Sequence, residues 1–324
     1  MNPKSIALNV AKAAFVAGIL YWLVVTDRLH LSGLTVFYEK PVFTAALLVQ
    51  WLFLGLLGGA ARWYLLLRGS GFSPGWFRTI QLQLIGFFFN AAMPGAIGGD
   101  LIKVVYIVRD QSGRKTAAAL TILLDRAVGL MGLFTIAAVS SLFFLNELIS
   151  NPVTSSLTTL LLIAVSGMVG FVAIVFIPFK EGKDPVHRLL SMRIFAFRFV
   201  LRVYEALRAY RSAPGALIGA WLISILLQLG NMLFYWYVTT LITGQTPGLG
   251  SYSVVFPFAS LATAIPLAPG GLGVGHVAFE KLYGVIGLSG GANVFNVVVI
   301  GTLALNMLGV FPYLLGKSKK TPPR

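Results

Sequence analysis

Between residues 84 and 108 an apolar run is interrupted by the residue types a membrane helix tolerates least. Residues 84–89 are apolar, 90–103 read N-A-A-M-P-G-A-I-G-G-D-L-I-K, and 104–108 are apolar again. Pro94 and the glycines Gly95, Gly98 and Gly99 break a helix, while Asp100 and Lys103 are costly in hydrocarbon. Irregular backbone at membrane depth persists only where protein buries it or a wet cavity receives it. The stretch predicts a broken, re-entrant helical hairpin, the kind of element from which transporter sites are built. A short cytoplasmic loop between two ordinary spans is the alternative.

Composition supports the membrane setting. The 324 residues are 57% hydrophobic and only 11% charged, with a mean hydropathy of +0.85. A soluble domain carries about twice that charge. The net charge of +15 raises the question of nucleic acid, but the bases cluster between apolar runs. Cytoplasmic loops facing anionic lipid explain that pattern better, so no nucleic-acid partner is expected. There is no cysteine, and the three histidines (His30, His187, His276) do not lie at ligand spacing. Neither a metal nor a cofactor is expected.

Apolar runs at 41–67, 116–145, 153–179, 216–242 and 292–315 are each long enough to span, and a retained first helix starts near residue 5. Gly55, Gly58 and Gly59 give the 41–67 run a small face for close packing, and Arg62 is placed near its interfacial end. Residues 180–211 carry eight bases among apolar residues and predict a helix lying in the interface. A second break, P-L-A-P-G-G-L-G-V-G-H, occupies 266–276.

The two breaks belong to a repeat. Pro94-Gly95 aligns with Pro269-Gly270, and the turn at Pro74 with that at Pro247; the flanking spans keep the same order. The loops near 148 and 246 lack Lys and Arg, whereas those near 112, 180–211 and the C-terminal tail are basic. With the basic loops inside, the spans alternate only if both breaks are re-entrant from opposite sides. The expected fold is an all-α polytopic membrane protein. It has about six full spans and an inverted-topology repeat with two opposed hairpins. It forms one transmembrane domain, 1–324: repeat one at about 41–145, a connecting span and basic segment at 153–211, and repeat two at about 215–315. Both termini are expected in the cytoplasm.

Candidate binding residues gather at the breaks. Glycines there (Gly95, Gly98, Gly99, Gly270, Gly271, Gly273) allow a phosphate to approach backbone N–H groups at a helix start. Asp100 and Lys103 share a helix face, as do His276 and Glu280. Adjacent Asp125 and Arg126 diverge, so each needs a partner from another element. Asn90, Pro94 and Pro269 complete the candidate set. For the charged residues, buried ion pairing and direct substrate contact both stand. No catalytic residue is assigned: G-L-S-G-G at 287–291 and the glycines at 271, 273 and 275 are simpler as turns.

The pattern N-x-x-x-P-G-x-x-G-G-D-x-x-K, Asp125-Arg126 in the following helix, and P-x-x-P-G-G-L-G before His276 resemble a known family. It is the transmembrane flippase region of bacterial lysylphosphatidylglycerol synthases, with the stand-alone flippase-like membrane proteins. The resemblance implies movement of a phospholipid, anionic or with a lipid-linked headgroup, between leaflets of the bacterial inner (cytoplasmic) membrane. No aminoacyl-transferase region accompanies it, so transport without synthesis is expected rather than an enzyme. A small-solute secondary transporter, or a transferase using Asp100, Asp125 or Glu280 on a lipid-linked donor, is the alternative. The oligomeric state, a homodimer included, stays open.

Overall fold

The computed structural model describes residues 35–92, 98–110, 115–177, 184–191, 200–201, 204–205, 207–263 and 271–315. All regular elements among them are helical. The expected first span lies outside the described residues, as do Pro94, Gly95, Pro269 and Gly270. A short α1 (Thr35–Glu39) precedes α2 (Pro41–Gly69). Then come α3 (Trp76–Ala92), α4 (Gly98–Asp110), α5 (Lys115–Phe143), α6 (Leu145–Ile149) and α7 (Pro152–Phe176). After α8 (Pro185–Leu190) and a 3₁₀ turn at Ala209–Ser212 follow α9 (Pro214–Thr243), α10 (Leu249–Thr263), α11 (Val274–Val285) and α12 (Gly291–Leu315).

Helix starts follow local chemistry. Proline opens α2, α7, α8 and α9, where its missing N–H costs nothing. Asn151 and Asp184 cap α7 and α8 by accepting from N–H groups of the first turn. Gly244, at φ 71°, closes α9 in the left-handed conformation.

Five described helices, α2, α5, α7, α9 and α12, are long and apolar enough to cross a membrane. The protein is therefore an all-α polytopic membrane protein. Helices α3 and α4 have 17 and 13 residues, α10 and α11 have 15 and 12. At 1.5 Å per residue the longest reaches only about 26 Å, short of the roughly 30 Å hydrocarbon core. They pack as two hairpins, α3 on α4 and α10 on α11, at the two expected breaks.

Helix α9 packs against both α2 and α5. The hairpins exchange partners: α3 lies along the end of α12, and α10 along α5. Close approaches fix these crossings. A Cβ added at Gly309 would lie 2.0 Å from the Leu84 carbonyl oxygen, and one at Gly132 would lie 2.6 Å from the Ser224 side chain. The small face of α2 meets Phe87, Leu227 and Gln83, although Gln50–Gly58 there is π-helical. Helix α7 turns Leu160, Ile163 and Val169 outward, as a lipid-facing helix does.

The interfacial segment is only partly described. Its described part includes short α8, whose cap Asp184 accepts from the Tyr204 hydroxyl at 2.7 Å and pairs with Arg208. The Tyr210 hydroxyl donates to the Leu66 carbonyl and thereby ties the following turn to α2. Burial pushes that phenol up to about 12, which keeps it a donor.

Candidate functional site

The first hairpin is closed by backbone contact. A Cβ at Gly99 would lie 2.0 Å from the Gly86 carbonyl oxygen, so α3 and α4 touch main chain to main chain. Asn90 Oδ1 accepts from the Gly99 N–H at 2.8 Å, stapling the two helices across the break. Gly98 and Gly99 are buried in the first turn of α4, directly before Asp100. At Gly99 the need is close packing.

This closure places Lys103 inside the protein, 5% exposed. Its stem lies along Gly86, its ammonium sits 4.7 Å from the centre of the Trp63 ring, and it donates to Gln83 Oε1 at 3.2 Å. Asp100 bridges two cations: Oδ1 stands 3.5 Å from Lys103 Nζ, and Oδ2 accepts from Arg126 Nε at 2.5 Å. Asp125, beside Arg126 in sequence, points elsewhere. Arg62 grips it with Nε and Nη2, at 2.7 and 3.1 Å, and donates from Nη1 to the Ser224 hydroxyl. Asp125 and Arg126 thus take their partners from two different helices, as their divergence requires.

Five charges from α2, α4 and α5 therefore form one cluster, with Lys103 and Arg126 also acting electrostatically on Asp125. The Arg62–Asp125 pair is enclosed, whereas the Arg126 side chain is 45% exposed and marks the open side. Such a cluster can hold a charged group that enters at Arg126 and reaches toward Lys103.

The second hairpin gives its candidates other partners. Gly271 and Gly273 adopt φ of 75° and 83°, a turn geometry that favours glycine. His276 accepts from the Gly273 N–H at 3.3 Å and lies 3.1 Å from Asn296 Oδ1. Glu280 does not join His276: its carboxylate accepts from the Ala292 N–H at 2.8 Å at the start of α12. Among the described contacts, none links either residue to the five-charge cluster. The G-L-S-G-G stretch is a turn, with Gly287 and Gly290 at positive φ and the Ser289 N–H bound to Gln245.

Arg62, Trp63, Gln83 and Ser224 were not among the sequence candidates. Arg62 is turned inward, against the expected interfacial placement. An arginine inside an apolar span was the available signal. Gln83, Trp63 and Ser224 carry no comparable mark.

These features define a class: a polytopic helical membrane protein with two half-length hairpins, one of which holds ionised groups inside the bundle. Within that class the chain belongs to the family described as lysylphosphatidylglycerol synthase TM region, whose model matches residues 9–310. The family has a lipid-related function. No curated protein and no solved structure matches the chain.

Proposed function

We propose that this protein translocates a phospholipid, or a lipid-linked headgroup, between membrane leaflets. The observation that carries the reading is the five-charge cluster held among apolar spans and open at Arg126. Buried charge at membrane depth is expensive and is retained mainly where a charged substrate passes. Family membership and the two partner-exchanging hairpins support the same reading. The two repeats would lie in opposite orientation in the inner membrane, with cytoplasmic termini and basic loops against the anionic leaflet. The role is transport, with no chemistry done on the lipid.

The test is a liposome assay. Purified protein should move a labelled phospholipid between leaflets faster than empty liposomes, and Lys103→Gln should abolish the gain while remaining folded. No acceleration across anionic, zwitterionic and polyprenyl-phosphate lipids, with and without a proton gradient, would favour the solute-transporter or transferase readings. Orientation is checked by single cysteines in this cysteine-free chain. Those at Asn146 and Thr246 should label from outside, and those at Gly113 and Lys183 only after permeabilisation.

A further inference from the structure

We infer that the site recognises its lipid by the phosphate, and that Asp100 is a resident counterion which the phosphate displaces. This rests on the translocation reading and names its substrate class. Arg62 and Asp125 form a closed, bidentate pair at 2.7 and 3.1 Å, so neither needs a further ion. That leaves Lys103 and Arg126 sharing one carboxylate, and the five-group cluster carries one positive charge in excess.

The sharing is uneven. Arg126 meets Asp100 at 2.5 Å, but Lys103 stands 3.5 Å from it, beyond the roughly 2.7–2.9 Å of a charge-assisted bond. The other described contacts of Lys103 are a neutral amide at 3.2 Å and the Trp63 ring face. A buried ammonium has therefore no short bond to an anion among the described residues. The Asp100 carboxylate spans the two cations with one oxygen each, the role two non-ester oxygens of a phosphodiester can take over. A phosphate entering past half-exposed Arg126 would supply the short contact to Lys103 that Asp100 does not.

Displaced Asp100 keeps a favourable place. It lies in the first turn of α4, where the helix dipole stabilises a carboxylate. Its return to the two cations then assists release of the lipid. The same layout disfavours a headgroup recognised by amines: Arg62 encloses one carboxylate, and Lys103 and Arg126 occupy the other. A lysyl headgroup pointing its ammonium groups inward would find no unshared acid. The expected order of binding is anionic over zwitterionic over cationic lipid.

Calorimetric titration of the full-length protein in detergent, with dihexanoyl phosphatidylglycerol and dihexanoyl phosphatidylcholine, tests this. On wild type, phosphatidylglycerol should bind at least about tenfold tighter. Asp100→Asn should tighten phosphatidylglycerol binding by about tenfold, and Lys103→Gln should weaken it by a similar factor. Asp100→Glu, which keeps the charge, should follow wild type. Both lipids carry the phosphodiester, but the choline ammonium would meet the cluster's excess positive charge, so equal binding of the two by wild type overturns the inference without reference to any variant. So does Asp100→Asn protein of wild-type melting temperature whose phosphatidylglycerol binding is unchanged or weaker. Glycerol phosphate in large excess should displace the lipid; displacement already at equal concentration would assign the site to a soluble phosphate ester instead. Liposome transport measured in parallel separates the two readings. Movement of lipid without charge preference removes the counterion and leaves translocation, whereas phosphate-selective binding without movement does the reverse.

Discussion

The two hairpins are built alike and lined differently. Each pairs a helix of 15–17 residues with one of 12–13; the first lies along the end of α12 and the second along α5. Inside the first are Lys103, Asp100 and their ionic partners. Inside the second is a knot of hydroxyl groups: Tyr283 lies 2.7 Å from Thr239 and 2.8 Å from Tyr252, among Tyr235, Phe256 and Phe279. In the knot the hydroxyls of Thr239, Tyr252 and Tyr283 pair with one another; the first leaves Lys103 without a short anionic contact among the described residues. Among the described residues, the ion cluster thus stands at only one of two similarly built hairpins, in keeping with function residing in sites grafted onto folds.

The sharpest way to break this contrast is to remove a charge. Asp125→Asn leaves Arg62 buried without its counterion and should cost about 3–5 kcal/mol, read as a large drop in melting temperature. Arg62→Met added to it should recover most of the loss. If the single change is silent, the ion cluster beside the first hairpin contributes no more to stability than the hydroxyl knot of the second.

Backbone contact comes next. Gly99→Ala drives a Cβ into the Gly86 carbonyl, which cannot step aside, and should cost about 1–3 kcal/mol or more. Gly284→Ala, in the second hairpin with nothing within 4 Å of its Cβ, should leave the melting temperature unchanged or slightly raised. Equal effects at the two positions would mean that the main-chain contact between α3 and α4 does not close the first hairpin.

Smaller effects belong to the second hairpin. Tyr283→Phe removes one hydroxyl while Thr239 and Tyr252 remain 3.3 Å apart and able to pair, so about 1 kcal/mol is expected. A loss as large as that of Asp125→Asn would mean the hydroxyl knot matters as much as the ion cluster. Smallest is Glu280→Ala, which removes an exposed acceptor from the start of α12 and should cost about 1 kcal/mol or less. Transport should survive it. A collapse of transport at wild-type stability would return Glu280 to the substrate path.

Much of this was legible in the chain. Long apolar runs have few options in a bilayer, so the span limits lie within a few residues of the expected ones, 41–67 against Pro41–Gly69 for example. Proline and glycine amid apolar residues marked both hairpins. The demand that Asp125 and Arg126 seek separate partners also follows from sequence, because neighbours on a helix diverge by about 100°. Less was legible wherever a side chain had a choice of direction. Arg62 could snorkel outward or turn inward, and only the position of Asp125 on α5 decides it. His276 and Glu280 share a face yet serve different partners, since Asn296 and the start of α12 reach them first.

By itself, then, the sequence determined the membrane setting, the helical class, the two breaks and the charged residue types near them. These rest on hydropathy, backbone sterics and helical period, all local properties of the chain. Tertiary structure alone decided the pairing: Arg62 with Asp125, Asp100 between Arg126 and Lys103, and Lys103 on the face of Trp63. The reason is physical. Pair energies depend on separations set by helices distant in sequence, and a shift of one or two ångströms decides whether a buried charge is satisfied.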